Sequence, residues 1–293
     1  MDTRDDRRSA PVLRMGLRTL PRGPSPLLIG IVNVTPDSFS DGGRYLNHDA
    51  AIVHALQLVE DGADGLDLGG ESTRPGAAPV PVDEELRRIV PVLGALRARV
   101  DVPISIDTTK AVVARAALDH GADVVNDVSG FRFDPDLLPM VARSACGVVL
   151  MHMQGEPRTM QEAPEYRDVV VEVRTWLEAR LADLVRAGVT PDRVIVDPGI
   201  GFGKRTEHNL ALLGNLDALR AGGCPLLVGA SRKRFLGALL DEPNPERRTE
   251  GDLAIAAHCR AAGVAMLRVH DVRAARRFLR VLDALDPVSP AGQ

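Results

Sequence analysis

The sequence predicts one α/β domain, a single (β/α)8 TIM barrel with a short N-terminal strand segment closing the barrel floor. Three observations carry that prediction. Eight short apolar runs recur along the chain, each stopping at a cluster of polar residues or glycine and each followed by helical periodicity, as buried parallel strands alternating with helices require. No linker interrupts them, and 293 residues suits a fold that commonly uses about 250 residues as one domain. Chemistry-bearing side chains gather at the carboxyl ends of the runs, while the starts carry small or apolar residues, the asymmetry of a barrel with its site at one face. A doubly wound open sheet is the alternative, but its usual nucleotide fingerprint is absent.

Residues 1–11 mix both charges and lack the apolar stretch of a secretory signal, so they are expected to be a disordered tail, with the barrel spanning 12–286 and a loose tail at 287–293. The segment 12–20 is assigned to the floor strand. The first barrel strand, about 27–34, has no room for a solvated face, and it changes within two residues into a loop of Thr, Pro, Asp, Ser and Gly. Pro36 forbids a continued ladder and forces Thr35 out of the helical region, while Gly42 and Gly43 free the backbone before a helix at 48–62. The second strand, 64–69, runs into Gly-Gly-Glu-Ser-Thr-Arg-Pro-Gly-Ala (69–77), with a helix from Asp83. The third (102–108) and fourth (122–127) precede helices from Lys110 and at 134–145. The fifth (147–152) precedes a long helix at 165–187, and the sixth (193–198) leads through a glycine-rich loop to a helix from Thr206. The seventh (225–230) is followed by helical stretches at 232–240 and 252–262, and the eighth (264–269) by a last helix to Leu285.

A net charge of −4 and a pI near 6.0, without a basic run, argue against nucleic acid or a membrane surface as partner. Small-molecule substrates are expected instead. Cys146, Cys224 and Cys259 are odd in number, far apart and without a Cys-x-x-Cys pair, so neither a disulfide framework nor a zinc site is expected, and the setting is read as reduced and cytoplasmic. No stretch approaches the roughly 20 apolar residues of a membrane span.

The strand ends carry Asn33, Glu71, Thr73, Arg74, Asp107, Asn126, His152, Asp197, Ser231, Lys233, Arg268 and His270. Any one of these taken alone reads as a helix cap or a loop hydrogen bond. Their recurrence in all the units points to a site. Gly-Ile-Gly-Phe-Gly-Lys (199–204) looks like a phosphate loop, but its spacing is a residue short and Arg205 stands where Ser or Thr would bind magnesium. Asp61, Asp64 and Asp67 come at three-residue intervals, not the two-residue intervals of an EF-hand. Of the 36 basic residues only Lys110, Lys204 and Lys233 are lysine, each just after a strand end, which suits positions where a compact donor fits and a planar fork does not; the motif around it supports that reading at Lys233 alone.

These residues together resemble the dihydropteroate synthase family. Asn-Val-Thr-Pro-Asp-Ser-Phe-Ser-Asp-Gly-Gly (33–43) looks like the family's first mobile loop and 69–77 like its second. Ser-Ile-Asp-Thr (105–108), Asn-Asp-Val (126–128), Met-His-Met-Gln-Gly (151–155), Asp-Pro-Gly-Ile-Gly-Phe-Gly-Lys (197–204), Ser-Arg-Lys (231–233) and Arg-Val-His-Asp (268–271) follow in the family's order. One departure stands out, Glu250-Gly251-Asp252, where a small hydroxyl residue is expected after the glycine.

The resemblance implies a condensation of (7,8-dihydropterin-6-yl)methyl diphosphate with 4-aminobenzoate that yields 7,8-dihydropteroate and pyrophosphate in folate biosynthesis, with sulfonamides competing for the 4-aminobenzoate pocket. It implies substrate contacts from Thr73, Arg74, Asp107, Asn126, Met151, Asp197, Phe202, Gly229, Ser231, Lys233, Arg268 and His270, catalytic roles for Asp107, Arg74 and Lys233, a magnesium cofactor at Asn33, and a homodimer through outer helices. The chemistry of the side chains suits this. Short carboxylates and amides such as Asp107, Asn126 and Asp197 match a pterin edge, Lys233 serves its ring acceptors, Arg268 can lie against the ring, and His270, Asn33 and Thr73 with magnesium suit a diphosphate. Phe39, on the first loop, is expected at the 4-aminobenzoate pocket. Two rival readings remain, a pterin-binding methyltransferase-type domain and a non-catalytic paralogue. The first has no use for a diphosphate site, and the complete first loop and Arg-Val-His-Asp count against both.

Overall fold

The computed structural model describes residues 12–35, 44–72 and 76–286, with the side chains of residues 12 and 44–47 excepted. The expected tails, most of the first loop with Phe39, and Thr73 and Arg74 of the second lie outside the described residues. Among the described residues ten strands form two sheets. A two-stranded antiparallel hairpin, β1 (Val12–Met15) and β2 (Arg18–Pro21), precedes an eight-stranded parallel sheet. That sheet comprises β3 (Leu27–Asn33), β4 (Gly65–Gly69), β5 (Ile104–Asp107), β6 (Val124–Asp127), β7 (Gly147–Met151), β8 (Val194–Asp197), β9 (Leu227–Val228) and β10 (Met266–Val269). The order β8-β7-β6-β5-β4-β3-β10-β9 is closed by a parallel bridge from Val196 to Leu226, which completes the barrel.

Around it lie α1 (Arg44–Glu60), α2 (Val82–Arg97), α3 (Ala111–Asp119), α4 (Leu137–Ala142), α5 (Val169–Arg186), α6 (Thr206–Leu213), α7 (Arg234–Leu240), α8 (Thr249–Ala261) and α9 (Val272–Leu285). The expected eight strand–helix units are therefore present, with the seventh carrying two helices. Three expectations change. The floor segment is a hairpin and not a single strand, because Gly16 takes a φ of 65° and turns the chain back. The fourth helix is confined to Leu137–Ala142, since Asp134 turns its carboxylate to the backbone nitrogens of Ala111 and Asp136 instead of joining the helix. Only Leu227 and Val228 of the expected 225–230 strand stay in the ladder.

Alternation along the strands divides the lumen into layers. Leu27, Ile29, Val124, Val149, Ile195, Leu227 and Met266 fill the lower part, and Leu13 and Met15 of the hairpin plug it from beneath. Fully burying each such side chain is worth about 1.5–3 kcal/mol. Leu66, Leu68, Ile104, Ile106 and Leu150 face outward from the barrel strands and join the larger core between sheet and helices. The three cysteines are buried and free, as the spacing indicates.

Candidate active site

Above the apolar layer the inward positions become polar, because the same period of two that places Ile29, Val124 and Ile195 also places the residues two steps further on. Asp67 pairs in register with Ser105, Gly69 with Asp107, Asp107 with Asn126, and Met151 with Asp197. Asp67, 1% exposed, is the hub of this layer. Its carboxylate accepts from the Ser105 hydroxyl, from Asn126 Nδ2 at 3.2 Å and from Arg268 Nε. Arg268 spans to the next carboxylate, donating from Nη2 to Asp107 Oδ2 at 3.1 Å. Burial works against the Arg268 charge, but the Asp67 and Asp107 carboxylates outweigh it and hold the guanidinium above its ordinary value.

Asp107 is pushed up to about 7, first by burial and then by the negative charge of Asp67, against the pull of Arg268. Asp197 is pushed up to about 6 by burial, opposed by the Gly199 N–H, which donates to its Oδ1 at 2.7 Å, and by the cations of Lys233, Arg268 and Lys204. That turn depends on glycine: Gly199 has a φ of 66°, and a Cβ there would stand 1.9 Å from the His152 carbonyl oxygen. The carboxylates of Asp107 and Asp197 look into one cavity of about 320 Å³, open to solvent, which Asn126, Met151, Phe202, Gly229, Lys233 and Arg268 also line. The Lys233 ammonium stands 4.0 Å from the centre of the Phe202 ring, a cation–π contact that fixes both. At Gly229 a Cβ would sit 3.9 Å from Asp197 Oδ2 and 3.7 Å from Arg268 Cβ, so the absence of a side chain there is what leaves the cavity open between them.

Ser231 and His270 come together on the rim. Ser231 Oγ lies 3.0 Å from His270 Nδ1 and donates to Asp252 Oδ2 at 2.7 Å. Asp271, the last residue of the Arg-Val-His-Asp stretch, accepts from Ala274 N at 2.9 Å and caps α9, so its part is to start the helix just after His270. Asn33, at the end of β3, places its side-chain oxygen near Gly69, beside Asp107. Among the described residues no three His, Cys, Asp or Glu side chains gather as a metal site. A single amide oxygen suits a magnesium ion that keeps its waters and is bound mainly through substrate phosphates, and does not suit one caged by protein.

Several strand-end residues lie outside the cavity. Lys110 bridges Glu71 and Glu85. His152 is buried against Trp176, with ring centres 4.9 Å apart, and its Nδ1 is 2.9 Å from Lys204 Nζ. Lys204, pushed down to about 7 by burial, also donates to the Phe202 carbonyl at 2.9 Å and so holds the loop that presents Phe202. Of the three lysines only Lys233 lines the cavity. The residue that the motifs did not reveal is Asp67, a lone charge inside the buried run Gly-Leu-Asp-Leu-Gly; the signal was there, since it stands two residues before Gly69 and thus on the same inward face.

Comparison with known proteins gives the same picture. The family described as pterin binding enzyme matches residues 29–270. The dihydropteroate synthase of Synechocystis sp. is 47% identical over 276 residues, 94% of this chain and 95% of that protein. The structure of Xanthomonas albilineans dihydropteroate synthase with 4-aminobenzoic acid superimposes with a TM-score of 0.88 at 46% identity, covering 95% of this chain and 99% of that one. The Xanthomonas enzyme in complex with 7,8-dihydropteroate gives a TM-score of 0.85 at 44% identity, covering 95% and 100%.

Proposed function

The chain belongs to the dihydropteroate synthases, within the pterin-binding enzymes, and from that premise we propose how its barrel mouth carries out the family's condensation. The reaction joins (7,8-dihydropterin-6-yl)methyl diphosphate to 4-aminobenzoate, giving 7,8-dihydropteroate and pyrophosphate. The observation that supports the reading is the cavity itself, where two buried carboxylates, an amide, a lysine and an aromatic face converge on one opening at the barrel mouth.

The pterin lies with its donor-rich edge on Asp197 and Asn126 and a ring acceptor on Lys233, between Phe202 and Met151. As the bond between the exocyclic methylene and the diphosphate oxygen breaks, its electron pair leaves with the diphosphate. Positive charge develops on the pterin next to Asp107, whose ionised carboxylate stabilises it in a site of low dielectric constant. The amine lone pair of 4-aminobenzoate attacks the methylene carbon, and the proton released from the new C–N bond's nitrogen passes to pyrophosphate. No covalent intermediate with the enzyme is needed. His270, with Asn33, faces the departing diphosphate, and Thr73 and Arg74 on the second loop help to close the 4-aminobenzoate pocket with Ser231 and Phe39. Asn33 would hold a magnesium ion, which would supply neutralisation of the charge that develops on the leaving group. Loop closure excludes water, which would otherwise capture the cation.

No helix among the described residues is long and apolar enough to cross a membrane, and a cytoplasmic homodimer associated through outer helices is part of the proposal, supported by exposed Leu239 and Leu240 on α7. The test is direct. Purified protein with magnesium, the pterin diphosphate and 4-aminobenzoate should release pyrophosphate and form dihydropteroate only when both substrates are present. Tight pterin binding without any product would point to a non-catalytic paralogue.

A further inference from the structure

The turn after β9 and the first turn of α8 grip each other in a way that the chemistry above does not use. Arg232 has a φ of 60°, a left-handed conformation that a residue with a side chain adopts only when its surroundings hold it. Asp252 in α8 accepts from the Arg232 N–H through Oδ1 at 2.9 Å and from the Ser231 hydroxyl through Oδ2 at 2.7 Å. Arg248, just before α8, donates to the carbonyls of Arg232 at 2.8 Å and Lys233 at 3.2 Å. Room for its guanidinium comes from Gly237 in α7, where a Cβ would stand 2.5 Å from Arg248 Nη2.

The proton count at Ser231 then becomes decisive. A serine hydroxyl has one proton to give and two lone pairs to receive. Oγ meets Asp252 Oδ2 at 2.7 Å, His270 Nδ1 at 3.0 Å and the His270 backbone N–H at 3.3 Å. An ionised carboxylate only accepts, so the hydroxyl proton points to Asp252. The backbone N–H takes one lone pair, and the other can be satisfied only by a proton on His270 Nδ1. We infer that Asp252 is a positioning residue which, acting through Ser231, fixes the His270 imidazole as its Nδ1–H tautomer and leaves the lone pair on Nε2. The departure Glu250-Gly251-Asp252 gains a consequence here. A hydroxyl residue at 252 can itself donate to Ser231, which frees the Ser231 proton for His270 Nδ1 and permits the opposite tautomer.

The inference concerns the free protein and its test needs no turnover, so it stands or falls apart from the proposed condensation. Full-length protein labelled with 15N-histidine is examined at pH 8 by long-range 15N–1H correlation, with His270 assigned by its loss in H270Q. Wild type should show a protonated Nδ1 and a bare Nε2 at His270. D252A and D252S should move the proton largely to Nε2, and D252E, which restores a carboxylate, should return it at least in part. A wild-type His270 with its proton on Nε2, or an unchanged pattern in D252A, overturns the inference. If D252A does not fold, S231A decides: it severs the same link with the carboxylate in place, and retention of the Nδ1–H pattern there overturns the inference equally.

Discussion

Replacing Asp67 by Asn tests the polar layer at its hub. The change keeps the shape, but it removes a charge and turns one oxygen into an N–H donor that faces the donors of Arg268 and Asn126. Arg268 keeps Asp107 at 3.1 Å, so the loss is below the 3–5 kcal/mol of an abandoned buried pair and nearer the roughly 1.5–3 kcal/mol of one charged hydrogen bond. For a chain of this size that is a fall in Tm of about 2–5 °C. The larger effect is electrostatic. Asp107 is held at about 7 partly by the Asp67 charge. Because that folded value lies above the ordinary 3.8, Asp107 favours folding most at acid pH, and the contribution is lost as pH rises from about 4 to about 7. With the charge of residue 67 gone and Arg268 free to act on Asp107 alone, its titration moves to lower pH. The assay is the acid limb of kcat/KM for the pterin diphosphate, compared between wild type and D67N so that ionisation of the substrate cancels. The limb should rise through about pH 7 in wild type and lie at lower pH in D67N. A limb unchanged in D67N would refute the idea that Asp67 sets the ionisation of Asp107.

Two further outcomes are expected. Asp197→Ala removes a buried carboxylate from the pterin edge and should weaken pterin binding by about 10- to 150-fold, the equivalent of about 1.5–3 kcal/mol; wild-type affinity by calorimetry would remove Asp197 from the pterin site. Chelation of magnesium should abolish pyrophosphate release yet leave binding of a pterin without its diphosphate unchanged, since Asn33 lies on a different strand from Asn126 and Asp197; loss of that binding on chelation would show that metal and pterin recognition are not separate.

The barrel was legible because its determinant is a period. Eight apolar runs with polar ends make eight buried strands whatever the details of the loops, and the strand-end residues Asp107, Asn126, Asp197, Lys233 and Arg268 do share one cavity. Short-range geometry was less so. Nothing in the run around Gly16 distinguishes a strand from a hairpin until a left-handed residue is seen to reverse it. The lysine pattern carried weight only at Lys233, where the motif supports it; Lys110 and Lys204 satisfy buried carboxylates and carbonyls, because a strand end serves packing as readily as chemistry. Asp67, considered only as part of a calcium-loop spacing that failed, went without a role for the opposite reason. It sits inside a strand, and its role exists only because β5, β6 and β10 bring Ser105, Asn126 and Arg268 to it from distant parts of the sequence.

Lys110 shows how such a packing group can still bear on the reaction. Glu71, at the start of the second loop, gives one oxygen to Lys110 and the other to the backbone N–H of Val80 at 2.9 Å, which ties the two ends of the loop together. The same ammonium holds Glu85, which is fully buried and has one oxygen without a hydrogen-bond partner among the described residues. Burial tends to lower the Lys110 pKa, but its two carboxylates outweigh that and raise it, so the stability it supplies is present at neutral pH and is lost only as pH rises above the ordinary lysine value of 10.5. Lys110→Met should therefore cost about 3–5 kcal/mol, because Glu85 is left charged and buried. Stability alone does not reveal whether the clasp also sets the loop. The double change Lys110→Met with Glu85→Leu removes the stranded charge and should recover most of the stability while Glu71 still lacks its cation. If Glu71 anchors the loop that closes on 4-aminobenzoate, KM for that substrate stays several-fold raised in the double variant while pterin affinity is normal. A double variant with both constants at wild-type values would limit the Glu71–Lys110–Glu85 group to holding α2 and α3 against the barrel.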